Sequence, residues 1–234
     1  MIKIVGTPIG NIEDISIRGI KELFSAKIVI AEDTRNFIKL RNLLAERFKE
    51  IINSLGLDEK THPRLISYRE ENHSKVIDSL ISLLKEEDAI LVSDAGLPGI
   101  SDPGQRLIEK VIEADIEIDV IPGSIAFTTA LVISGFNILT AVYLGFLPKE
   151  EGKILKLLEK HKNETVVIYE SPFRIVKLLT IIGKFNPNLT VCCCNDLTKK
   201  FQKVYRGAVL SVLSQLEKST PKGEWCVVIS SIKD

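Results

Sequence analysis

Asp94 stands at the end of a predicted strand, in a position that helix capping does not account for. It follows the apolar run Ala89–Val92 and belongs to the glycine- and proline-rich stretch Ser93–Gly104. Ligands of α/β sheets bind at the carboxyl ends of parallel strands, and glycines leave backbone groups open to a ligand. Asp102 and Pro103 fit the N-cap and first position of a helix. Asp94 is therefore a candidate for binding a ligand amine or hydroxyl, and capping of the adjacent turn is the alternative.

Two more acids, Glu32 and Asp33, follow the strand-like run Lys27–Ala31. Thr34 is the predicted cap of the next helix, which leaves both acids without a capping role. A carboxylate in such a place could take a proton from a weakly acidic group. A structural pair with Arg35 accounts for these acids equally well.

Glu170 stands in the same position after the run Thr165–Tyr169. Ser171 and Pro172 are the predicted cap and first residue of the following helix. They leave Glu170 unexplained, so it is a further candidate proton acceptor, with a structural role as the alternative.

Two glycine turns also follow predicted strands. Gly6–Asn11 comes after Ile2–Val5, and Pro122–Ala126 comes after Ile121. Glycine permits a sharp turn and a close approach to a ligand, but Gly6–Asn11 taken alone fits an ordinary tight turn and lacks the GxGxxG pattern. Ser124 could simply cap the next helix.

A basic cluster with aromatic neighbours lies in the second half of the chain. Its members are Lys199, Lys200, Phe201, Lys203, Tyr205 and Arg206. This composition is typical of phosphate contacts with stacking partners for bases. A strand edge guarded by lysine is the second interpretation. In that case an RNA surface would lie elsewhere, around Lys149, Lys153 and Lys156.

The elements that position these residues alternate between strands and helices. Predicted strands of the first half are Ile2–Val5, Lys27–Ala31, Leu65–Tyr68, Ala89–Val92 and Ile116–Ile121. Apolar helix faces between them consist of Ile17, Ile20, Leu23 and Phe24, of Val76, Leu80, Leu83 and Leu84, and of Leu107, Ile108, Val111 and Ile112. Near-continuous apolar strands alternating with amphipathic helices predict a parallel sheet covered on both faces.

The second half continues the alternation. Its predicted strands are Val142–Phe146, Thr165–Tyr169, Leu189–Cys194, Phe201–Arg206 and Glu224–Ser230, and its helices begin at Ser124 and cover Lys153–Lys160, Pro172–Ile182 and Val209–Leu216. With five predicted strands in each half, the sequence predicts two α/β domains, 1–121 and 122–234.

Composition limits the class of protein. The 234 residues, 45% of them hydrophobic, suffice for a substantial core. No apolar run approaches the roughly 20 residues that span a bilayer, so a cytoplasmic protein is expected. The net charge is zero, yet residues 1–120 carry 16 basic and 22 acidic side chains while 121–234 carry 15 and 9. A basic second half is compatible with a polyanionic partner, although solvated helix faces commonly produce the same imbalance.

The four cysteines do not predict a metal site. Cys192, Cys193 and Cys194 are consecutive in a strand-like run, so their side chains alternate between faces and cannot converge on one ion. Cys226 stands alone. All four are predicted to be small, buried, reduced strand residues.

Eight segments form an ordered set: Gly6–Asn11, Ala31–Arg35, Ser93–Gly104, Pro122–Ala126, Gly145–Lys149, Tyr169–Arg174, Leu197–Phe201 and Pro221–Glu224. In order and spacing, over nearly the whole chain, this set resembles the ribosomal RNA small subunit methyltransferase I family. The resemblance implies two α/β domains of the tetrapyrrole methylase type, with S-adenosyl-L-methionine folded in the inter-domain cleft, and a homodimer. It implies 2′-O-methylation of the cytidine at position 1402 of 16S rRNA, as free RNA or within the small ribosomal subunit.

Site residues follow at matching positions. The implied cofactor contacts are Pro8, Ile9, Asp94, Leu97, Ile125, Ala126, Tyr169, Asn195 and Gly223. The expected RNA contacts are Arg35, Lys199, Lys200, Lys203 and Arg206. The chain departs from the family pattern where Leu97 replaces a usual Thr, Ser124-Ile125 a usual Pro-Ser, and Asn195-Asp196 a usual Arg-Glu pair. Asparagine cannot make arginine's bidentate phosphate contact. Typical members also continue beyond the position of Asp234 into a short basic module.

The implied chemistry needs positioning more than activation. Methyl transfer from a sulfonium to oxygen requires an in-line approach and no metal. The candidates for accepting the proton of the ribose 2′-hydroxyl are Glu32, Asp33, Glu170 and Lys222. Two other functions stay open: C-methylation of a tetrapyrrole precursor, and a non-catalytic module that binds the cofactor or its product.

Overall fold

The computed structural model describes residues 1–231. The chain divides into two compact units, Met1–Ile125 and Ala126–Asp234, and each has its own five-stranded sheet. The sequence-based domain limits, 1–121 and 122–234, stay a prediction. Ile232, Lys233 and Asp234, where the chain was compared with longer family members, lie outside the described residues.

The first unit alternates strands and helices. Its elements are β1 (Ile2–Val5), α1 (Ile17–Ser25), β2 (Ile28–Ala31), α2 (Thr34–Arg47), α3 (Lys49–Ser54), β3 (Arg64–Ser67), α4 (His73–Glu86), β4 (Ala89–Val92), α5 (Gly104–Glu113) and β5 (Ile118–Ile121). The strands form a sheet in the order β3-β2-β4-β1-β5, and each neighbouring pair is parallel. The parallel sheet predicted for this half is confirmed.

Two hydrophobic cores lie on opposite faces of this first sheet. Val29 and Ala31 of β2 pack in the core that contains side chains of α1, α2 and α3. Ile28 and Ile30 pack in the core that contains side chains of α4 and α5. This separation follows from the two-residue period of a strand. Helices therefore cover both faces, as continuous apolar strands predict.

The predicted apolar helix faces are buried except at their margins. Ile17 and Ile112 are exposed, although the sequence analysis placed both on core-facing stripes. Ile112 follows the buried Val111, and successive helical residues lie about 100° apart around the axis, so its side chain falls outside the stripe. Ile17 is the first residue of α1 and precedes the buried part of that helix.

For α2 the sequence predicted a helix cap at Thr34 but no apolar face, and for α3 it predicted no element. The buried face of α2 consists of Phe37, Arg41 and Leu44. The Arg41 guanidinium lies 4.5 Å from the centre of the Phe24 ring, and it donates to Thr61 Oγ1 at 2.8 Å. A buried arginine thus interrupts the apolar pattern, and a cation–π contact stabilises it there.

The second unit has a mixed sheet. Its elements are α6 (Ala126–Ser134), β6 (Ala141–Phe146), α7 (Glu151–Lys160), β7 (Thr165–Glu170), α8 (Ile175–Phe185), β8 (Thr190–Asn195), β9 (Lys203–Ala208), α9 (Val209–Glu217) and β10 (Trp225–Ile229). The strand order is β6-β7-β10-β8-β9. Strands β6 and β7 are parallel, and the three other neighbouring pairs are antiparallel.

Four predicted element starts in the second unit are wrong by two or three residues. Helix α7 begins at Glu151 instead of Lys153. Helix α8 begins at Ile175 instead of Pro172, because the Ser171 carbonyl accepts from the N–H groups of Arg174 and Ile175 and closes a turn first. Strand β9 begins at Lys203 instead of Phe201, since residues 199–202 also form a turn. Helix α6 begins at Ala126 instead of Ser124.

The cysteines lie within β8 and β10, buried and with free thiols, as predicted. Cys193 packs in the core beside α8 and α9, whereas the sulfurs of Cys192 and Cys194 lie 3.8 Å apart. In residues 1–231, no three His, Cys, Asp or Glu side chains are grouped to hold a metal ion. The same residues contain no helix that is both long enough and apolar enough to cross a bilayer.

Candidate active site

Three loops of the first unit meet at the carboxyl edge of the first sheet. They follow the adjacent strands β4, β1 and β5, and they include Ser93–Gly104, Gly6–Asn11 and the Pro122–Ile125 segment. Side by side at the strand ends, the loops form the kind of edge at which parallel α/β sheets bind ligands.

Two glycines allow two of these loops to cross. A Cβ atom added to Gly6 would lie 2.6 Å from Gly123 Cα, and one added to Gly123 would lie 2.7 Å from Gly6 Cα. The Gly6 N–H donates to the Ile121 carbonyl at 3.0 Å. No side chain fits at either crossing position without a backbone shift. From the sequence we expected Gly6 to form a sharp turn or to approach a ligand closely, and the contact between the two loops was missed.

The buried Thr7 joins the same loops. Its N–H donates to the Gly96 carbonyl at 2.9 Å, and its hydroxyl donates to that oxygen at 3.2 Å. Gly96 has a φ of +85°, and an added Cβ would meet the Ser124 carbonyl oxygen at 3.3 Å. Ile9 lies buried against Gly96. These contacts fix the backbone around Pro8, Ile9, Leu97 and Ile125, four of the five cofactor contacts predicted in this unit.

The Asp94 carboxylate connects the end of β4 to the start of α2. One oxygen accepts from the Asp33 N–H at 3.1 Å, and the other accepts from Asn36 Nδ2 at 2.8 Å. Its side chain nevertheless remains exposed. The alternative of capping its own turn is replaced by this contact with a neighbouring loop, and the cofactor role of Asp94 stays a prediction.

Asp33, and not Thr34, caps α2. Its carboxylate accepts from the Arg35 N–H at 2.9 Å, and it pairs with the guanidinium groups of Arg35 and Arg69 at 2.6 and 3.4 Å. The hydrogen bonds from Arg35 hold the pKa of the Asp33 carboxyl well below its usual range. Asp33 is therefore a weak base, and Arg35, a predicted RNA contact, is already paired with it.

Glu32 has the opposite electrostatic environment. It is half-buried, and burial is the main reason that its pKa is raised. The carboxylates of Asp94, Asp102 and Asp33 raise it further, while a hydrogen bond from the Asp94 N–H at 3.4 Å opposes the shift. A carboxylate with a raised pKa is a better proton acceptor, so Glu32 is the stronger of the two candidates at this strand end.

Tyr169, a predicted cofactor contact near the carboxyl end of β7, packs with two other aromatic side chains. The Tyr169 hydroxyl accepts from the Phe127 N–H at 3.1 Å, at the start of α6. The Phe127 and Tyr143 rings stack with centroids 4.4 Å apart, and Tyr143 meets Tyr169 edge to face at 5.2 Å. Burial raises the pKa of the Tyr169 hydroxyl, so the phenol stays neutral. Ala126 directly precedes this contact.

Glu170 is buried and supports two loops. Its Oε1 accepts from the Ser171 N–H at 2.8 Å, and its Oε2 lies 3.4 Å from Arg174 Nη2. Arg174 also donates to the carbonyls of Leu147 and Pro148 at 2.9 to 3.2 Å. Burial raises the pKa of Glu170, and the Ser171 N–H and Arg174 oppose that shift. This is a structural Glu–Arg pair of the kind that the sequence analysis offered as the alternative to catalysis.

Asn195 shapes the turn that contains Lys222 and Gly223. Its side-chain amide donates to the carbonyls of Lys222 at 2.8 Å and Glu224 at 3.2 Å. Gly223 has a φ of +72°, and an added Cβ would clash with the Asp196 carboxylate. Lys222 itself is exposed. Asn195, which stands where the family pattern usually has arginine, thus stabilises this turn through its side-chain amide.

Two of the four basic side chains of the predicted cluster already contact other groups of the protein. Lys199 pairs with Asp196 at 2.8 Å and with Glu224 at 2.7 Å. Arg206 donates to the carbonyls of Ser134 and Ile133. Lys203 is exposed on β9, an edge strand, and Lys200 lies over the Phe201 ring at 5.6 Å. Lys200 and Lys203 remain the members available to a phosphate.

Comparisons with known proteins agree with this architecture. Residues 1–212 match the family described as "Tetrapyrrole (Corrin/Porphyrin) Methylases". A cobalt precorrin-4 methyltransferase has the same fold, with a TM-score of 0.66 at 12% identity over 98% of this chain and 94% of that one. A uroporphyrin III C-methyltransferase from Thermus thermophilus, complexed with S-adenosyl homocysteine, gives a TM-score of 0.64 at 12% identity over 98% and 96%.

Much closer sequence relatives are curated as "Ribosomal RNA small subunit methyltransferase I". The protein from Thermotoga maritima is 40% identical over 97% of this chain and 96% of its own length. The protein from Hydrogenobaculum sp. is 39% identical over 97% and 94%. The chain therefore belongs to the tetrapyrrole methylase family and, within it, to the ribosomal RNA small subunit methyltransferase I family.

Proposed function

We propose that this protein transfers a methyl group from S-adenosyl-L-methionine to the 2′-hydroxyl of a cytidine in 16S rRNA. The observation that carries the proposal is the 40% identity, over nearly the full length of both chains, to a protein named as a small-subunit rRNA methyltransferase. The resemblance of eight separate segments to that family supports the same substrate.

The cofactor proposal is supported by the carboxyl edge of the first sheet. There the contact between Gly6 and Gly123 and the hydrogen bond between Thr7 and Gly96 hold three loops together. Asp94 presents an exposed carboxylate beside them. Such an edge suits a nucleoside-like ligand, because loop backbone groups and a carboxylate can bind its polar atoms. When bound, the cofactor supplies an already activated methyl group. S-adenosyl homocysteine in a uroporphyrin III C-methyltransferase of the same fold further supports this choice.

Glu32 is our preferred proton acceptor for the ribose hydroxyl. Its raised pKa and partial exposure suit the task better than the surroundings of Asp33, which two arginines hold ionised. Glu170 is too buried to meet a substrate directly and is better suited to positioning loops. Lys222 is exposed and remains a second candidate.

The expected assembly and partners follow from family membership. We propose a cytoplasmic homodimer that acts on 16S rRNA or the small ribosomal subunit, without a metal ion. Light scattering during gel filtration tests the dimer, and activity measured with and without a chelator tests the metal-free chemistry.

The decisive experiment uses small ribosomal subunits from cells that lack this protein. Purified protein is incubated with them and tritium-labelled S-adenosyl-L-methionine, and mass spectrometry locates the new methyl group. A matched RNA with a single deoxycytidine at the target should accept no methyl group, because the proposed nucleophile is missing. Methylation of a uroporphyrin-type compound instead, or cofactor binding without turnover, would contradict the proposal and favour one of the two alternative functions.

A further inference from the structure

Two phenylalanine rings are exposed at the carboxyl edge of the parallel pair β6 and β7. Phe146 ends β6 with 59% of its surface accessible, and Phe173 lies in the turn after β7 with 95% accessible. Large aromatic side chains normally gain stability by burial. Rings left in water at one edge of a sheet therefore point to a partner that covers them.

The loops that carry these rings are held in place. Arg174, next to Phe173, donates to the carbonyls of Leu147 and Pro148, which follow Phe146 directly. The Phe146 ring also meets the Tyr169 ring at 5.7 Å, edge to face. Because the backbone beneath the rings is fixed, a partner that stacks on them loses little binding energy to ordering the loops.

Unpaired positive charge flanks the same edge. Lys149 lies in the loop between Phe146 and α7, and Lys177 lies in the first turn of α8, four residues after Phe173. Neither ammonium group forms an ion pair with a carboxylate of the described residues, whereas the neighbouring Lys153 pairs with Glu150 at 2.9 Å. Interfaces between proteins are depleted in lysine, while phosphate-binding surfaces need it.

We propose that this edge binds a single-stranded segment of the RNA substrate. Unpaired bases stack on Phe173 and Phe146, and Lys149 and Lys177 contact the phosphates between them. Aromatic rings interleaved with lysines are the combination that single-stranded RNA recognition uses. The inference rests on the proposed function and adds to it the surface that receives the RNA, which consists of other residues than the partly engaged cluster of Lys199 and Arg206.

Phe173→Ala tests the proposal. The probe is a fluorescein-labelled single-stranded oligoribonucleotide that contains the target cytidine, and its affinity is measured by anisotropy. We expect about a five- to hundredfold weaker affinity, since stacking on one aromatic residue contributes about 1–3 kcal/mol per base. Phe173→Trp should restore binding because it keeps a stacking surface. The dissociation constant for S-adenosyl-L-methionine should not change.

Two matched variants act as controls. Leu139→Ala removes a side chain that is 92% exposed in the same unit, before the start of β6, and should bind RNA as the wild type does. Phe201→Ala removes the exposed ring of the basic cluster and should have little effect. A large loss on Phe201→Ala with none on Phe173→Ala would overturn the proposal in favour of that cluster.

Three further outcomes would also overturn the proposal. In the first, the wild type methylates ribosomal subunits while Phe173→Ala binds the oligoribonucleotide equally well, so the proposed function stands and only the inference fails. In the second, Phe173→Ala weakens self-association and leaves RNA affinity intact, so the ring belongs to an interface between copies. In the third, the wild type neither binds nor methylates the RNA, and the proposed function fails as well.

Discussion

Substitution of Gly123 by alanine tests the loop crossing on which the candidate site depends. The added Cβ would lie 2.7 Å from the Cα, 2.8 Å from the carbonyl carbon and 3.0 Å from the carbonyl oxygen of Gly6. Carbon atoms in favourable contact are about 3.5–4.0 Å apart, so the two loops must separate by about an ångström. All three contacts are with backbone, and no side-chain rotation relieves them.

The expected cost can be estimated from overpacking. Forcing a methyl group into a filled site costs about 1–3 kcal/mol, and we expect the free energy of unfolding to fall by that amount in urea denaturation. Calorimetry should also show weaker binding of S-adenosyl-L-methionine, because Ile9 and Ile125 lie in the displaced loops.

Gly152→Ala is the matched control. It makes the same chemical change in α7, where no atom of the described residues, apart from the adjoining residues and backbone of the helix itself, lies within 4 Å of the added Cβ. Alanine is favoured over glycine inside a helix by up to about 1 kcal/mol, so this variant should be as stable as the wild type or more so. If Gly123→Ala keeps wild-type stability and cofactor affinity, the crossing does not constrain the loops and the reasoning is refuted.

Three other predictions concern the site and its substrate. Asp94→Ala should weaken cofactor binding about ten- to a hundredfold through loss of a charge-assisted hydrogen bond, while the protein stays folded. If calorimetry gives an unchanged dissociation constant, Asp94 has only its structural contact with α2. The methylation rate should fall as the pH drops through the raised pKa of Glu32, because only the ionised carboxylate accepts a proton. Glu32→Gln should abolish this pH dependence. If the dependence survives the substitution, another group accepts the proton. Lys177→Ala should reduce the slope of the logarithm of RNA affinity against the logarithm of salt concentration by about 0.7, as expected for one phosphate on a single strand. Lys203→Ala should leave this slope unchanged. The reverse result would place the phosphates at β9.

The strand framework could be predicted from the sequence because burial and local pattern agree there. Residues of β2 and β4 are apolar throughout, and those strands lie inside a parallel sheet with helices on both faces. Helix α2 could not be predicted in the same way, because Arg41 occupies a core position through its contact with the Phe24 ring, a residue far from it in sequence.

The candidate site was predictable only as a set of strand ends. The sequence marks Glu32, Asp33 and Asp94 as strand-end acids without a capping role, which is wrong for Asp33 because it caps α2. The structure also joins Asp94 to the start of α2. The sequence could not distinguish the two acids before α2. Hydrogen bonds from Arg35 lower the pKa of Asp33, but from the sequence Arg35 could pair with either acid, and the burial that raises the pKa of Glu32 is set by the tertiary fold. The reason for glycine at both positions 6 and 123 likewise appears only when the two loops cross.

The position of β10 constrains how the protein can be made. Trp225–Ile229 pairs with β7 on one side and β8 on the other, in the middle of the second sheet, although it is the last strand in the described chain. The first unit has all its strands once residue 121 has been synthesised. In the second unit, β7 and β8 each keep an unpaired edge during synthesis until residue 229 emerges from the ribosome. Unpaired strand edges favour aggregation. Translation that stalls between these two points would therefore release a chain with a foldable first unit and an incomplete second sheet.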